Sequence, residues 1–118
     1  MARRILAFVI SGILALATLF AADPPPISTP NTPTDDSPAA VAAAKRMGMA
    51  NAQRDVQAGR LRIVYPMEGS FILGPYGLFD PDTGYMRYPV DACLAGTAFD
   101  AEVEAYNQVM HDWHTKHK

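Results

Sequence analysis

One cysteine, Cys93, is all that the 118 residues contain, so no internal disulfide can staple the fold and stability must come from packing. An excess of basic charge is missing as well. Ten Lys and Arg stand against twelve Asp and Glu, and without Arg3 and Arg4 the remainder carries about −4. That balance excludes the basic patch or stripe of a nucleic-acid binder, and it does not suggest an anionic membrane surface as partner. No Gly-rich phosphate loop occurs, and no nucleophile elbow joins the scattered Ser, His and Asp residues into a catalytic set. Nothing in the pattern points to an enzyme.

The N-terminus has a clear organisation. Arg3 and Arg4 precede a charge-free apolar run from Ile5 to Phe20 that continues through Ala21 and Ala22, the n-region and h-region of an export signal. Its apolar length of about 18 residues is at the lower edge of what crosses a bilayer. Residues 1–22 therefore read as a signal peptide or a signal anchor. The Ala-x-Ala pattern at Ala15 and Ala17 lies inside the apolar run, and cleavage after Ala21 or Ala22 places Leu19 or Phe20 where a small residue is preferred. A periplasmic or secreted destination is expected, with a membrane-anchored domain facing outside the cytoplasm as the alternative. Membrane contact is expected only through this segment, if it is uncleaved.

Residues 23–38 change composition abruptly, with Pro24-Pro25-Pro26, Pro30, Pro33 and Pro38 set among Ser, Thr, Asn and Asp. Such a stretch reads as a disordered, extended, semi-rigid linker. The domain proper is then 39–118, about 80 residues, small enough that docking on a partner or on a second copy would stabilise it.

Within it the pattern predicts an α+β fold: a helix, a small antiparallel sheet of three or four short strands with a β-hairpin, and a C-terminal amphipathic helix. Ser37 is a capping residue with Pro38 at the first helical position, Asp35 and Asp36 favour the positive helix end, and Gly59 marks the stop. The inward face, Val41, Ala44, Gly48, Ala52 and Val56, is mostly small. Leu61, Ile63 and Tyr65 alternate with Arg60, Arg62 and Val64 as a strand that Pro66 should end, and Phe71-Ile72-Leu73 is a second strand candidate. Tyr76 to Phe79 and Tyr85 to Tyr88 flank Asp80-Pro81-Asp82-Thr83-Gly84, where Pro and Gly supply turn dihedrals and Asp bonds nearby backbone. A calcium loop is the competing reading of Asp80-x-Asp82-x-Gly84 with Asp91. It fails, because the bend position holds Tyr85 and the last ligand is a short Asp.

In the final helix, Thr97 with Asp100 imitates a capping box, and Phe99, Val103, Tyr106, Met110 and Trp113 fall on one stripe of large residues that must be buried. A self-association seam is the alternative to packing on the sheet.

Three groups of residues are candidate sites. His111, His114 and His117 recur every three residues, so neighbours approach one another on the helix surface and imidazole would suit zinc or copper. The three together also spread over about a third of the circumference, since each of the two steps falls short of a full turn. Cys93 is the only thiol, read as a core residue or a redox contact. Tyr76, Phe79, Tyr85 and Tyr88 would form a binding surface wherever they remain exposed together. No cofactor is expected apart from a zinc or copper ion on the histidines. The functional expectation is a small exported interaction or structural module without catalytic activity, which takes a protein partner or self-associates. The alternative is a metal carrier or sensor.

Overall fold

A computed structural model describes residues 23–30, 36–67, 78–92 and 94–118. Helix α1 spans Pro38–Gln57, strand β1 Arg62–Met67, strand β2 Met86–Asp91 and helix α2 Thr97–His117. The chain is thus mixed α+β. The apolar segment 1–22, the strand expected at Phe71–Leu73, Tyr76 and Cys93 lie outside the described residues.

Helix α1 begins as its sequence dictates. The Ser37 hydroxyl accepts the Ala40 amide at 3.2 Å, Pro38 fills the first turn, and Gly59 with φ 76° ends the helix, a backbone state that an L side chain disfavours. Its buried residues are Ala44, Gly48, Ala52 and Asp55. The first three bring α2 very close. A Cβ built on Gly48 would stand 2.3 Å from the Glu102 carbonyl oxygen, so only glycine permits this crossing.

The large stripe of α2 is buried as predicted at Phe99, Val103, Tyr106 and Met110, while Trp113 stays half-buried at the rim. The capping box expected of Thr97 and Asp100 does not form. Gly96 occupies the cap position, and Asp36, from before α1, accepts the Ala98 amide at 3.1 Å. The nearness of the two helix starts explains the change: a carboxylate already beside one set of free amides reaches the other.

Contacts along the pair fix the direction of the helices. Asp36 meets Ala98 at their starts, Gly48 meets Glu102, Asp55 meets Tyr106, and Gln57 shares a groove with Trp113 at their ends. The helices therefore run side by side in the same sense.

The sheet differs from expectation. β1 and β2 are its two strands among the described residues, and they are parallel, with Arg62 opposite Met86 and Met67 opposite Asp91. A parallel pair needs a crossover of a dozen or more residues, and residues 68–85 supply that length. The turn read at Asp80–Gly84 exists. Gly84 donates to the Asp80 carbonyl at 2.7 Å, Gly84 has φ 74°, and Phe79 pairs with Met86 as a single antiparallel bridge. It is a hairpin inside the crossover rather than the sheet itself.

Pro66 was expected to end β1, yet both Pro66 and Pro89 lie within strands. Backbone groups alternate in direction along a strand, and the neighbours show which way these prolines face. Val64, two residues before Pro66, turns its N–H and C=O away from β2 to the Asn107 side-chain amide, at 2.8 and 2.9 Å. Arg87, two residues before Pro89, gives its N–H outward to the Leu78 carbonyl at 2.8 Å. Each proline thus points its missing donor away from the ladder and costs no hydrogen bond between the strands.

The core under the sheet joins Ile63, Val64 and Ala92 to Ala52, Phe99, Val103, Tyr106 and Met110, with Ile27 packed against it. Ile27 belongs to the segment expected to be a linker. Residues 23–30 instead lie against the helix pair, for reasons that belong to the site.

Candidate functional site

Asp55 follows Ala52 by three residues on the buried stripe of α1, which aims its carboxylate inward, and it is fully buried. An ionised carboxylate in that position is tolerated only when paired and hydrogen-bonded. Five donors meet the need. Arg54 Nε and Arg60 Nε reach Oδ1 at 3.1 and 3.0 Å, while Arg62 Nε, Arg62 Nη2 and the Tyr106 hydroxyl reach Oδ2 at 3.2, 2.8 and 2.6 Å. Burial pushes the Asp55 carboxyl upward, but the Tyr106 hydroxyl and the three guanidiniums outweigh it and hold the group below its ordinary value. Tyr106 is raised, first by burial and then by its bond to Asp55. Arg62 stays firmly protonated, because Tyr106 and Asp55 overcome the cost of its burial.

The donors left over by Asp55 hold the proline-rich segment. Arg62 Nη2 donates to the Pro24 carbonyl at 2.6 Å, Arg54 Nη2 to Pro25 at 3.1 Å, and Asn51 Nδ2 to Pro26 at 3.1 Å and to the Ser28 hydroxyl at 2.9 Å. Three consecutive prolines offer acceptors and no amide donors, so they meet arginines and an amide. Ser28 and Thr29 do have N–H groups, and they meet a carboxylate. Glu102 of α2, itself fully buried, accepts the Ser28 amide at 2.6 Å, the Thr29 amide at 2.9 Å and the Thr29 hydroxyl at 2.7 Å. Pro26 is fully buried between these contacts. Residues 24–29 form a strap whose acceptors at Pro24, Pro25 and Pro26 and donors at Ser28 and Thr29 are met in turn by side chains of β1, α1 and α2.

A second carboxylate organises the hairpin. Asp80, 4% exposed, accepts the Tyr65 hydroxyl on Oδ1 and the Thr83 amide and hydroxyl on Oδ2 at 2.9 and 2.8 Å. Burial raises its carboxyl, yet Tyr65, Thr83 and the nearby His111 more than compensate and keep it below the usual range. Asp80 is thereby occupied by its own turn and by β1.

The histidines are drawn to different neighbours. His114 stands edge-on to Tyr85 with ring centres 5.5 Å apart, and His117 stacks on Trp113 at 3.6 Å with Nδ1 2.8 Å from the Trp113 carbonyl oxygen. Among the described residues, no three His, Cys, Asp or Glu side chains are grouped to hold a metal ion.

Of the aromatic surface, Tyr85 and Tyr88 are half-buried, Tyr88 under the Arg62 guanidinium at 5.0 Å, whereas Phe79 is 57% exposed. Its exposed companions are Leu78 and Met86, which sequence reasoning missed because both sit next to turn residues and show no periodicity of their own. Asp55 and Glu102 were missed too. The available signal was a charge in step with a small or apolar stripe, at Asp55 after Ala44, Gly48 and Ala52, and at Glu102 beside Phe99 and Val103. No family model, curated protein or solved structure matches the chain.

Proposed function

We propose that this chain is a small exported interaction or structural module without catalytic activity, acting in the periplasm or beyond the cell, or held on the outer side of the membrane by residues 1–22. One observation carries the reading. The buried groups best suited to chemistry, Asp55, Arg62, Tyr106, Glu102 and Asp80, are engaged with one another and with the strap and hairpin, while Leu78, Phe79 and Met86 are more than half exposed. Polar satisfaction inside and apolar surface outside are the marks of a body made to be held and to hold something.

The strap adds to this. Because Pro24 is already bonded to Arg62, essentially no slack separates the apolar segment from the folded core. Whatever the fate of the signal, the domain begins at its boundary. Affinity purification of the tagged chain from its native envelope should recover one reproducible partner, and recovery of none after crosslinking would sink the reading. N-terminal sequencing decides the address. A start near Ala22 or Asp23 means a released domain, an intact Met1 or Ala2 in the membrane fraction means an anchored one, and an intact N-terminus in the cytoplasmic fraction ends the export proposal.

A further inference from the structure

The strap crosses the helix pair on one side, where Asn51 and Arg54 of α1 and Glu102 of α2 hold it. On the opposite side of the buried stripe of α1, at helical spacing, come Lys45, Met49, Gln53 and Val56. With α2 they line two adjoining hollows of about 340 and 440 Å³, which share Met49, Val109 and Asp112 and so form one groove along the pair. None of the residues that hold the strap or belong to the sheet lines it. Met49, 48% exposed, stands up from one wall, and the other is low, because Ala101 and Ala105 carry only a methyl group each.

The charged side chains that line the groove are Lys45 and Lys116 against Glu104 and Asp112, so it has no net sign with which to draw a strongly acidic or basic partner. Asp112 and Lys116 stand four residues apart on α2, acid first, the order in which such neighbours offset each other. Lys45 and Glu104 are left. They face the same hollow from opposite walls, and neither has an ion pair among the described residues. Each lacks what the other wall of an identical groove supplies.

We propose that this groove is the contact face of a homodimer, on which a second copy docks about a two-fold axis running along the helices. Because α1 and α2 run in the same sense, that axis sets α1 of each copy on α2 of the other at equal height. Lys45 of each copy then meets Glu104 of the other, and Met49 enters the low wall at Ala101 and Ala105. A two-fold axis across the helices sets α1 on α1 instead, and the α1 wall offers Lys45 no acid. The pairing suits the size of the domain, since about 80 residues make a core small enough to gain from a second copy. The inference rests on the interaction reading and names its partner.

For the test, unlabelled and heavy-nitrogen forms of the full-length chain are mixed in urea, refolded together with detergent micelles in excess, and treated with a carbodiimide, which joins an amine to a carboxylate in contact with it. A link from Lys45 to Glu104 between peptides of different isotope is expected, and it can form only between copies. It needs no substitution, so it stands even where a variant misfolds. In sedimentation with density-matched detergent, Lys45→Glu and Glu104→Lys should each weaken the dimer about tenfold by opposing like charges at two places, and the two together should restore it. A link confined to single copies, or a chain that sediments as a monomer, overturns the proposal. So does a dimer whose strength neither reversal alters. The two readings fail apart: a monomer that still recovers a foreign partner from the envelope removes the homodimer and leaves the interaction module, whereas recovery of neither a foreign protein nor a second copy removes both.

Discussion

Two buried aspartates divide the molecule between them. Asp55 and Asp80 are both shielded from water, both accept a tyrosine hydroxyl, and both are held below their ordinary value. They differ in reach. Asp80 bonds Thr83 in its own turn and Tyr65 in the preceding strand, so it fastens a hairpin to one neighbour. Asp55 bonds Arg54, Arg60, Arg62 and Tyr106, and two of those arginines go on to Pro24 and Pro25. A single carboxylate thus unites strap, α1, β1 and α2. The same functional group makes a turn in one place and an architecture in the other, and the difference lies in how far along the chain its donors come from.

The largest expected effect tests that contrast directly. Asp55→Ala strands the Arg62 guanidinium in a buried position and should cost about 3–5 kcal/mol in urea unfolding, enough to threaten the folded state. A loss below about 1 kcal/mol would mean that the arginines escape to water and that the centre is incidental. Next comes Glu102→Ala, expected to cost about 1.5–3 kcal/mol because charge-assisted bonds to Ser28 and Thr29 disappear. Hydrogen exchange at those two amides should accelerate far more than at the α2 amides. Uniform acceleration would show that the strap is not held separately.

Asp80→Ala should cost less, about 1–2 kcal/mol. Its exchange changes should stay within residues 78–87 and Tyr65, and spread to the strap would erase the distinction between the two centres.

The smallest effects appear on titration. Both carboxyls lie below the unfolded value of about 3.8, so their stabilisation is complete above that pH and is lost as pH falls beneath it. Tyr106 lies above the unfolded value of 10.0, so its contribution is complete below pH 10 and is lost as pH rises past it. Tyr106→Phe should reduce the alkaline loss, with Tyr65 and Tyr85, also raised, supplying what remains, and should shrink the acid loss as well, because the Tyr106 hydroxyl is one of the donors holding Asp55 down. An unchanged alkaline midpoint in that variant would assign the loss to other groups.

The contrast also explains what could be read in advance. Asp80 was legible because Asp-Pro-Asp-Thr-Gly encodes a turn through bonds made within a few residues. Helix α1 was legible for the same reason, from Ser37 and Pro38 to Gly59, and so was the heavy stripe of α2. Asp55 was not, since its donors are fixed only once four segments meet. The strap was hidden by its composition. Proline-rich sequence normally lacks partners, and here the partners are arginines and a glutamate that looked like solvent-facing charges. The parallel pairing escaped for a related reason, because a strong local hairpin signal says nothing about which distant strand lies beside β1. Pro66 then argued for the end of a strand, where edge geometry makes it harmless.

That edge geometry has a consequence for crowding. A two-stranded sheet has two open flanks, each a template on which another chain can add a strand and begin a fibril. Here the Asn107 amide already completes the Val64 side, and on the other side Arg87 has spent its donor on Leu78 while Pro89 has none to give. Among the described residues, both flanks are thus short of free donors. Concentration should therefore not drive this protein into cross-β aggregates, and Asn107→Ala together with Pro89→Val should shorten the lag before thioflavin-positive fibres appear. An unaltered lag would mean that these flanks are protected by something other than the amide and the proline.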